Sequence, residues 1–239
     1  IDSDDYVAEN YLEKLYNIMK DNKADIAVTG INIFYENTKI KDKHKLENKI
    51  YIYSGEQALE KMLYQNTLDT SACAMLIPIL IAKKFLFPIG KYHEDEYTTY
   101  KYYANVERVA VTTERLYFYL QRSGSIMHVF GQSSIDELDA ADNLVDYCLK
   151  NHPLLIQAAE SKKFSDYCQV FLSNENIKKD YTQIYDKISE YLKQKRKQIL
   201  FDSKCRKKNR IAALILFGGL NLLFKLNKLV AIIWRNGNI

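Results

Sequence analysis

The sequence predicts an α/β domain followed by an all-helical region. Up to about residue 130, segments with helical spacing of apolar residues alternate with short β-like runs, the pattern of folds that layer helices on a sheet. After Ser133 every apolar pattern is helical. Apolar residues make up 47% of the 239 residues, enough for a core, and this length allows one domain with an extension or two small domains.

The charge distribution and the cysteines further limit the classes of protein that the sequence fits. The net charge of +4 is concentrated near the C-terminus, because Asp202 is the only acid between Lys193 and Arg210. The four cysteines form no CxxC pair and have no histidine at zinc-finger spacing, so we expect free thiols, as in a reducing compartment. The chain opens without a methionine or a signal peptide, and we expect an N-terminal portion to precede it.

Residues 1–5, Ile-Asp-Ser-Asp-Asp, place three carboxylates just before a helical pattern. If Asp2 and Asp4 stand at the end of a strand, their side chains point to the same face. Two such carboxylates can hold a divalent cation, which in turn can bind phosphates and neutralise a departing diphosphate. The alternative is that Asp4 or Asp5 only caps the helix that follows.

The first elements follow from periodicity and turn residues. We expect a helix over residues 6–20, a strand over 25–35, an exposed lysine-rich connection over 37–48 and a strand over 50–53. A capping box, Ser54-Gly-Glu-Gln57, opens a helix to about Tyr64. The first helix has a predicted apolar face of Val7, Tyr11, Leu12, Leu15, Ile18 and Met19.

The middle of the chain is more apolar. Residues 71–86 predict a buried strand, a turn at Pro78 and a short helix, and the run Met75–Ile81 suits either a tight core or a lipid-linked acceptor. A helix is predicted over 94–105, with acids in its first turn where the dipole favours them. Two strands, 108–112 and 115–121, precede a loop containing Ser123-Gly124-Ser125.

The remainder predicts amphipathic helices over residues 134–150, 153–172 and 181–201 and an apolar tail over 211–234. Glycine, asparagine and lysine residues interrupt the tail, which argues against a transmembrane span. A polar stripe of Asn221, Lys225, Lys228 and Arg235 follows the basic run 204–210. This combination is typical of a helix lying on an anionic membrane. A core helix packed on the helical region is the alternative.

Several segments, taken in order, resemble motifs of family 2 glycosyltransferases. Asp-Ser-Asp-Asp-Tyr-Val at 2–7 resembles the DxD region, and Phe-Pro-Ile-Gly-Lys-Tyr-His-Glu-Asp-Glu at 87–96 resembles the ED segment. Residues 115–119 and 121–127 resemble the tyrosine strand and the R-x-G-S loop. The resemblance covers roughly residues 1–130 and implies the GT-A fold, a Rossmann-like sheet whose first half binds the nucleotide and whose second half binds the acceptor.

The resemblance further implies that this chain begins at the DxD motif. It would then lack the nucleotide-binding half and be inactive by itself. The implied reaction transfers a sugar from a nucleotide-sugar, expected to be a UDP-sugar, to an acceptor hydroxyl with inversion. The implied cofactor is Mg²⁺ or Mn²⁺, held first by Asp4 and second by Asp2, which also contacts the donor. His128 is the implied additional ligand, and a surface histidine is the alternative.

Four further residues take roles from the same resemblance. Asp95 is the implied base, because a hydroxyl becomes a good nucleophile when a positioned carboxylate accepts its proton. Glu94 would orient the acceptor or Asp95. The alternative is that the acids at 94–96 only stabilise a helix N-terminus. Arg122 and Ser125 would hold the diphosphate through the guanidinium fork and the hydroxyl, and an ordinary polar turn is the alternative.

These expectations define three regions: residues 1–132 as the acceptor-side part of a catalytic domain, 133–203 as a helical extension and 204–239 as a membrane-associating tail whose basic and polar surface runs from 204 to 235. The predicted protein is a hexosyltransferase of cell-surface polysaccharide synthesis, cytoplasmic and peripheral on the inner face of the cell membrane, with a glycan or lipid-linked acceptor. A non-catalytic, membrane-tethered scaffolding protein is the alternative. Nucleic acid is not expected as a partner, because the basic run lacks interleaved aromatic residues.

Overall fold

The computed structural model describes residues 1–35, 48–121 and 130–236, with side chains described up to residue 229. The chain divides into two units: residues 1–62 with 67–127, and residues 63–66 with 128–239. The first unit contains a β-sheet with helices and the second is helical. The predicted fold class, a mixed α/β part followed by a helical region, is confirmed.

In its described residues the first unit forms five strands and four helices. The strands are β1 (Tyr6–Val7), β2 (Ile26–Tyr35), β3 (Ile50–Ser54), β4 (Met75–Leu76) and β5 (Arg108–Gln121). The helices are α1 (Tyr11–Asp21), α2 (Gly55–Leu63), α3 (Ile79–Lys84) and α4 (Thr99–Ala104). The helix predicted from residue 6 therefore begins five residues later, because Tyr6 and Val7 pair with β5 instead.

Strand β5 lies at the centre of the sheet, whose order is β1-β5-β2-β4 with β3 also paired to β5. It runs parallel to β2 and antiparallel to β1 and β3. Its first half pairs with β3, from Arg108 to Thr112, and its second half pairs with β1, at Tyr117 and Phe118. The prediction of two separate strands, 108–112 and 115–121, is wrong, because one bulged strand spans both.

The bulge lies opposite Thr29 and Gly30. The pairing jumps from Val28 opposite Val111 to Gly30 opposite Arg115, which leaves extra residues on β5. The Thr29 hydroxyl fills the gap by donating to the carbonyl of Glu114 at 2.7 Å and accepting from the amide of Leu116 at 3.2 Å. A Cβ on Gly30 would lie 2.8 Å from the Arg115 side chain, so the close strand approach requires glycine.

Helix α1 packs one face on the sheet. Tyr11, Leu15 and Ile18 are buried in a core shared with Ala27 of β2 and Ala110 of β5. These three helix residues were predicted to be apolar contacts. Leu12, predicted for the same face, is instead 63% exposed.

The predicted capping box is confirmed at α2. The Ser54 amide donates to Oε1 of Gln57 at 2.9 Å, and the Gln57 amide donates to Oγ of Ser54 at 3.1 Å. Gly55 between them packs tightly, because a Cβ there would lie 2.0 Å from the carbonyl oxygen of Val106. Backbone at that distance must move to admit any other residue.

The apolar run Met75–Ile81 departs from its prediction. The buried strand expected there is reduced to the two half-buried residues of β4, followed by α3. Ile79 and Leu80 are 65% and 77% exposed, so a tight core does not explain these two residues.

The second unit forms six α-helices in the described residues. They are α5 (Gln132–Asn151), α6 (Ile156–Ser173), α7 (Ile177–Asp180), α8 (Thr182–Phe201), α9 (Lys207–Ile215) and α10 (Leu220–Asn236). The three predicted amphipathic helices correspond to α5, α6 and α8, with a 3₁₀ turn at Pro153–Leu155 before α6. The single helix predicted for the tail is wrong, because Leu216–Gly218 form a 3₁₀ turn and Gly219, at φ +98°, separates α9 from α10.

One face of the tail is packed inside the second unit. Ala213, Leu216, Leu220 and Leu223 are buried, and the Phe224 ring meets Phe171 of α6 edge-on with centroids 6.2 Å apart. This supports the core-helix alternative for that face. The opposite face keeps large apolar side chains more than half exposed, namely Ile211, Leu214, Phe217 and Leu229. Within the described residues, no helix has the length and apolarity needed to cross a membrane.

The predicted basic run 204–210 is divided in the structure. Arg206 donates to Oγ of Ser165 at 2.7 Å and Arg210 donates to the carbonyl of Leu200 at 3.0 Å, so these two cations are used in packing. Lys207 and Lys208 are exposed. Membrane association of the tail stays a prediction, with fewer cations available to it than the sequence suggested.

A charged cluster joins three helices of the second unit at Asp142 of α5. Its carboxylate forms ion pairs with Nζ of Lys163 of α6 at 2.8 Å and with Nζ of Lys187 of α8 at 2.6 Å. It also accepts a hydrogen bond from the Tyr167 hydroxyl at 2.6 Å. Burial opposes the charge, but the hydrogen bonds from Lys163, Lys187 and Tyr167 outweigh it and hold the pKa of Asp142 below its ordinary value. The charged form of Asp142 therefore stabilises the folded unit.

We predict an acid-dependent loss of stability that depends on Asp142. A carboxyl pKa that is lower in the folded state contributes stability above about pH 4, and this is lost as the pH falls through the folded-state pKa. Asp142→Asn should lower the urea midpoint at neutral pH and flatten its fall between neutral and strongly acidic pH. Asp146→Asn, at an exposed carboxylate one turn further along α5, is the control. Identical pH profiles for Asp142→Asn and the unsubstituted protein, measured by circular dichroism, would contradict the prediction.

Candidate functional site

The acidic residues at the start of the chain form a turn. The Asp5 amide donates to the Asp2 carbonyl at 3.2 Å, with Ser3 and Asp4 at the tip. The predicted strand-end geometry, in which alternation aligns Asp2 with Asp4, is therefore wrong. The capping alternative is wrong as well, because α1 begins at Tyr11 and Asn10 occupies its N-cap.

Strand β5 holds this turn through Asp5. Oδ1 of Asp5 accepts the Leu120 amide at 2.9 Å, and Oδ2 accepts the Tyr117 hydroxyl at 2.7 Å. The same hydroxyl accepts the Asp2 amide at 3.2 Å. Both Asp5 oxygens are thus engaged in structure, whereas the side chains of Asp2 and Asp4 are exposed at the surface.

The negative charge of the acidic turn affects the pKa of two tyrosines of β5. Burial raises the pKa of Tyr117, and its bond to Asp5 raises it further, so this phenol remains a donor. Burial also raises the pKa of Tyr119, with added contributions from the negative charges of Asp5, Asp4 and Asp2. All three carboxylates therefore act on one region near Tyr119, and their combined negative potential favours a cation there.

Cys73 contacts the turn from a different segment. Its thiol lies 3.7 Å from Oδ2 of Asp2, and its carbonyl accepts the Tyr11 hydroxyl at 3.0 Å. Burial raises the pKa of Cys73, so the neutral thiol is the donor in this contact. The contact connects the loop before β4 to the acidic turn.

The second acidic segment lies just before α4. Residues 94–98 form successive turns and α4 starts only at Thr99, so the predicted start of the helix at Glu94 is wrong. The Asp95 carbonyl accepts the amides of Thr98 and Thr99 at 3.0 and 2.9 Å, and its Oδ1 accepts the Glu96 amide at 2.9 Å. The first turn of α4 contains no acid, so stabilisation of that turn does not explain residues 94–96.

The loop that carries Cys73 also reaches this second segment. Oγ1 of Thr70 donates to Oε1 of Glu96 at 2.8 Å, and Cys73 contacts Asp2. Three residues of chain span at most about 11 Å. One short loop therefore contacts both acidic segments, at positions only three residues apart.

The predicted site residues are placed as follows. Glu94 is exposed and Asp95 is half-buried, next to the loop contact at Glu96. Arg122, Ser125 and His128 lie outside the described residues, and their roles stay predictions.

Sequence reasoning assigned no site role to Tyr117 or Thr70, and to Asp5 it assigned only capping of the following helix. For Tyr117 a signal existed, because alternation along a strand places it on one face with Tyr119. The position of Thr70 has no local signature, since its partner is 26 residues away.

The donor set of the turn suits one mode of cation binding. Among the described residues, no group of three His, Cys, Asp or Glu side chains is arranged to hold a metal ion. Mg²⁺ is commonly bound by one or two carboxylates together with substrate phosphates and water. Asp2 and Asp4 can supply two carboxylates of this kind, whereas Asp5 is occupied by its own hydrogen bonds.

Comparisons with known proteins find a family model and relatives that match part of this chain. Residues 1–85 match the family model described as glycosyl transferase family 2. The chain is 30% identical over 136 residues to glycosyltransferase GlyA of Streptococcus pneumoniae, covering 54% of this chain and 20% of that protein. It is 28% identical over 142 residues to glycosyltransferase GlyG of the same organism, covering 53% and 44%. The chain thus spans a fifth of one relative and less than half of the other.

A solved structure resembles the whole chain. The crystal structure of S. aureus TarS 1-349 in complex with UDP-GlcNAc aligns with a TM-score of 0.56 at 15% identity, covering 99% of this chain and 67% of that one. At this identity the likeness establishes the fold alone, and that fold is GT-A.

We predict that Tyr117→Phe loosens the acidic turn. The substitution removes the hydroxyl shared by Asp5 and Asp2 and should lower the free energy of unfolding by about 1.5–3 kcal/mol, the usual range for a bond to a charged acceptor. Amide exchange at Asp5 and Leu120 should accelerate. Tyr6→Phe, which removes the hydroxyl of an exposed tyrosine on β1, is the control. Unchanged exchange at both amides would show that Tyr117 does not hold the turn.

Proposed function

We propose that this chain is part of a family 2 glycosyltransferase that transfers a sugar from a UDP-sugar to an acceptor hydroxyl, with inversion at the anomeric carbon. The family match over residues 1–85 and two relatives named as glycosyltransferases support a sugar transferase. The structural observation that carries the proposal is the loop contact that joins the two acidic segments, Cys73 to Asp2 and Thr70 to Glu96.

The acidic turn is the proposed donor side. Asp4 and Asp2 would hold Mg²⁺ or Mn²⁺ together with the donor diphosphate, and His128 is a further proposed ligand. When bound, such a cation neutralises charge that develops on the leaving diphosphate. Tyr117 keeps the turn in place through Asp5. Arg122 and Ser125 are proposed to bind the diphosphate oxygens directly.

The segment at Asp95 is the proposed acceptor side. As the acceptor oxygen bonds to the anomeric carbon, its proton passes to the Asp95 carboxylate, and the bond from that carbon to the diphosphate breaks with its electron pair. Attack opposite the leaving group inverts the anomeric configuration. The amides of Thr98 and Thr99 fix the Asp95 backbone. Glu94 would orient the acceptor or Asp95.

The biological setting is proposed with the reaction. We place the enzyme in the cytoplasm, peripheral on the inner face of the cell membrane, acting on a glycan or a lipid-linked acceptor during cell-surface polysaccharide synthesis. The exposed apolar face of the tail, with Leu214 and Phe217, supports membrane contact. A panel of nucleotide sugars, tested with the full-length gene product, identifies the donor.

We predict that Asp95→Asn lowers turnover by about 10²- to 10⁴-fold, the usual contribution of a general base, while donor affinity stays near that of the unsubstituted enzyme. The measurements are steady-state transfer rates and calorimetric donor binding. Glu107→Gln, at an exposed position, is the control. A loss of donor affinity with intact turnover per bound donor would make Asp95 a binding residue. These assays use the full-length gene product, and its inactivity in unsubstituted form across the panel would favour the scaffolding alternative.

We predict that Asp4→Ala lowers transfer by at least about a hundredfold at saturating magnesium, because a bound cation supplies several kcal/mol of charge stabilisation. The fold should survive, since the side chain is exposed at the tip of a turn. Asp21→Ala, at an exposed residue at the end of α1, is the control. Unchanged turnover in Asp4→Ala, measured over a magnesium titration, would remove Asp4 from the cation site.

A further inference from the structure

The first unit carries a dense group of exposed apolar side chains on α3 and the segment after it. We call residues 79–92 the α3 surface. Leu80 and Leu86 are 77% and 74% exposed and Ile89 is fully exposed. The large apolar residues exposed here are Ile79, Leu80, Leu86, Phe87, Ile89 and Tyr92. So many in one short segment exceeds the scattered exposure that is normal for a soluble surface.

The charges of this segment have one sign. From Thr70 to His93 the sequence contains no aspartate or glutamate, and its lysines are Lys83, Lys84 and Lys91. All three lysines are exposed. On α3, Lys83 and Lys84 each follow an exposed apolar residue by four positions, so both pairs share the solvent-facing side of the helix.

Contacts to α4 hold the α3 surface in shape. The Tyr102 hydroxyl donates to the Phe85 carbonyl at 3.1 Å, and the Phe87 ring meets Tyr102 edge-on with centroids 6.4 Å apart. Nζ of Lys84 donates to Asn105 at 3.3 Å. The apolar side chains are therefore presented by a segment that is anchored on both sides of Leu86.

We propose that the α3 surface binds an anionic lipid bilayer. Exposed aliphatic and aromatic side chains enter the headgroup region, and the exposed Lys83, one turn after Ile79 on α3, extends its charge to a lipid phosphate. The uniform positive charge matches an anionic lipid surface. This surface is separate from the tail, and its lipid binding does not rest on the proposed sugar transfer.

The position of this surface gives it a consequence for chemistry. It ends at Tyr92, and Glu94 and Asp95 follow after the single residue His93. Binding of the α3 surface would therefore hold the second acidic segment close to the headgroup layer, where the hydroxyls of a lipid-anchored acceptor lie. In this proposal the exposed side chains of Ile79 and Leu80 bind lipid instead of packing in a core.

A fluorescent reporter on the surface tests the proposal directly. Trp234 is the only tryptophan of the sequence, so Phe87→Trp in a Trp234→Phe background reports from the α3 surface alone. With mixed phosphatidylglycerol–phosphatidylcholine vesicles, and without donor or acceptor, its emission should shift to the blue and be quenched by brominated lipids. No shift and no quenching at any vesicle concentration would overturn the proposal.

Matched substitutions distinguish vesicle binding by the α3 surface from nonspecific binding by other exposed apolar residues. In the reporter background, Leu80→Gln with Leu86→Gln should weaken partitioning to the vesicles by about ten- to a hundredfold, since each side chain loses its apolar burial. Lys83→Gln should weaken it by about fivefold on anionic vesicles and leave neutral vesicles unaffected. Leu12→Gln with Tyr16→Gln, on an exposed face of α1 that also carries Glu13, should leave partitioning to anionic and to neutral vesicles unchanged.

Other occupants of the surface give distinct results. A blue shift that appears without vesicles, grows with protein concentration and disappears in Leu80→Gln with Leu86→Gln would identify a second copy of the chain and overturn lipid binding. Equal losses in the α1 and α3 variants would also overturn it. Circular dichroism of each variant verifies that the fold is retained. Because vesicle binding is measured without a sugar donor, its result stands whether or not a transferase assay detects activity.

Discussion

The pairing of β5 with three other strands organises the first unit. Its first half lies between β2 and β3, and its second half lies between β2 and β1. Leu120 and Tyr117, near the end of that second half, hold the acidic turn through both oxygens of Asp5. The position of the candidate cation ligands therefore depends on a strand more than a hundred residues away in sequence, and the bulge opposite Thr29 and Gly30 sets the register of that strand.

From this sheet, one loop and one helix determine where the second acidic segment lies. The loop reaches the acidic turn through Cys73 and the segment before α4 through Thr70, while α4 anchors the α3 surface through Tyr102. The two acidic segments and an exposed apolar surface thus belong to one connected set of contacts. Each part is held mainly by hydrogen bonds to neighbours that carry no charge of their own.

In the second unit, a carboxylate is held by charged neighbours as well as by a hydroxyl. Asp142 binds Lys163, Lys187 and Tyr167, so that carboxylate joins α5, α6 and α8. In the tail, some of the basic and apolar residues are used for packing and the others are exposed. A tail with this division stabilises its own unit with one face and leaves the other face exposed. Because buried leucines such as Leu216 belong to the core, deletion of the tail would destabilise the unit.

The sequence by itself determined what depends on near neighbours in the chain: the helical spacing of α5, α6 and α8, the capping box at Ser54, and the acids at 2–5 and 94–96 as candidates. Tertiary structure decided the start of α1, because Tyr6 and Val7 gain strand partners on β5. It also made one strand from two predicted ones and assigned Tyr117 and Thr70 to the candidate site, since their partners are distant in sequence. Periodicity identifies an apolar residue, but only the packing of neighbouring elements decides whether it is covered, which is why Leu12 and Leu80 are exposed.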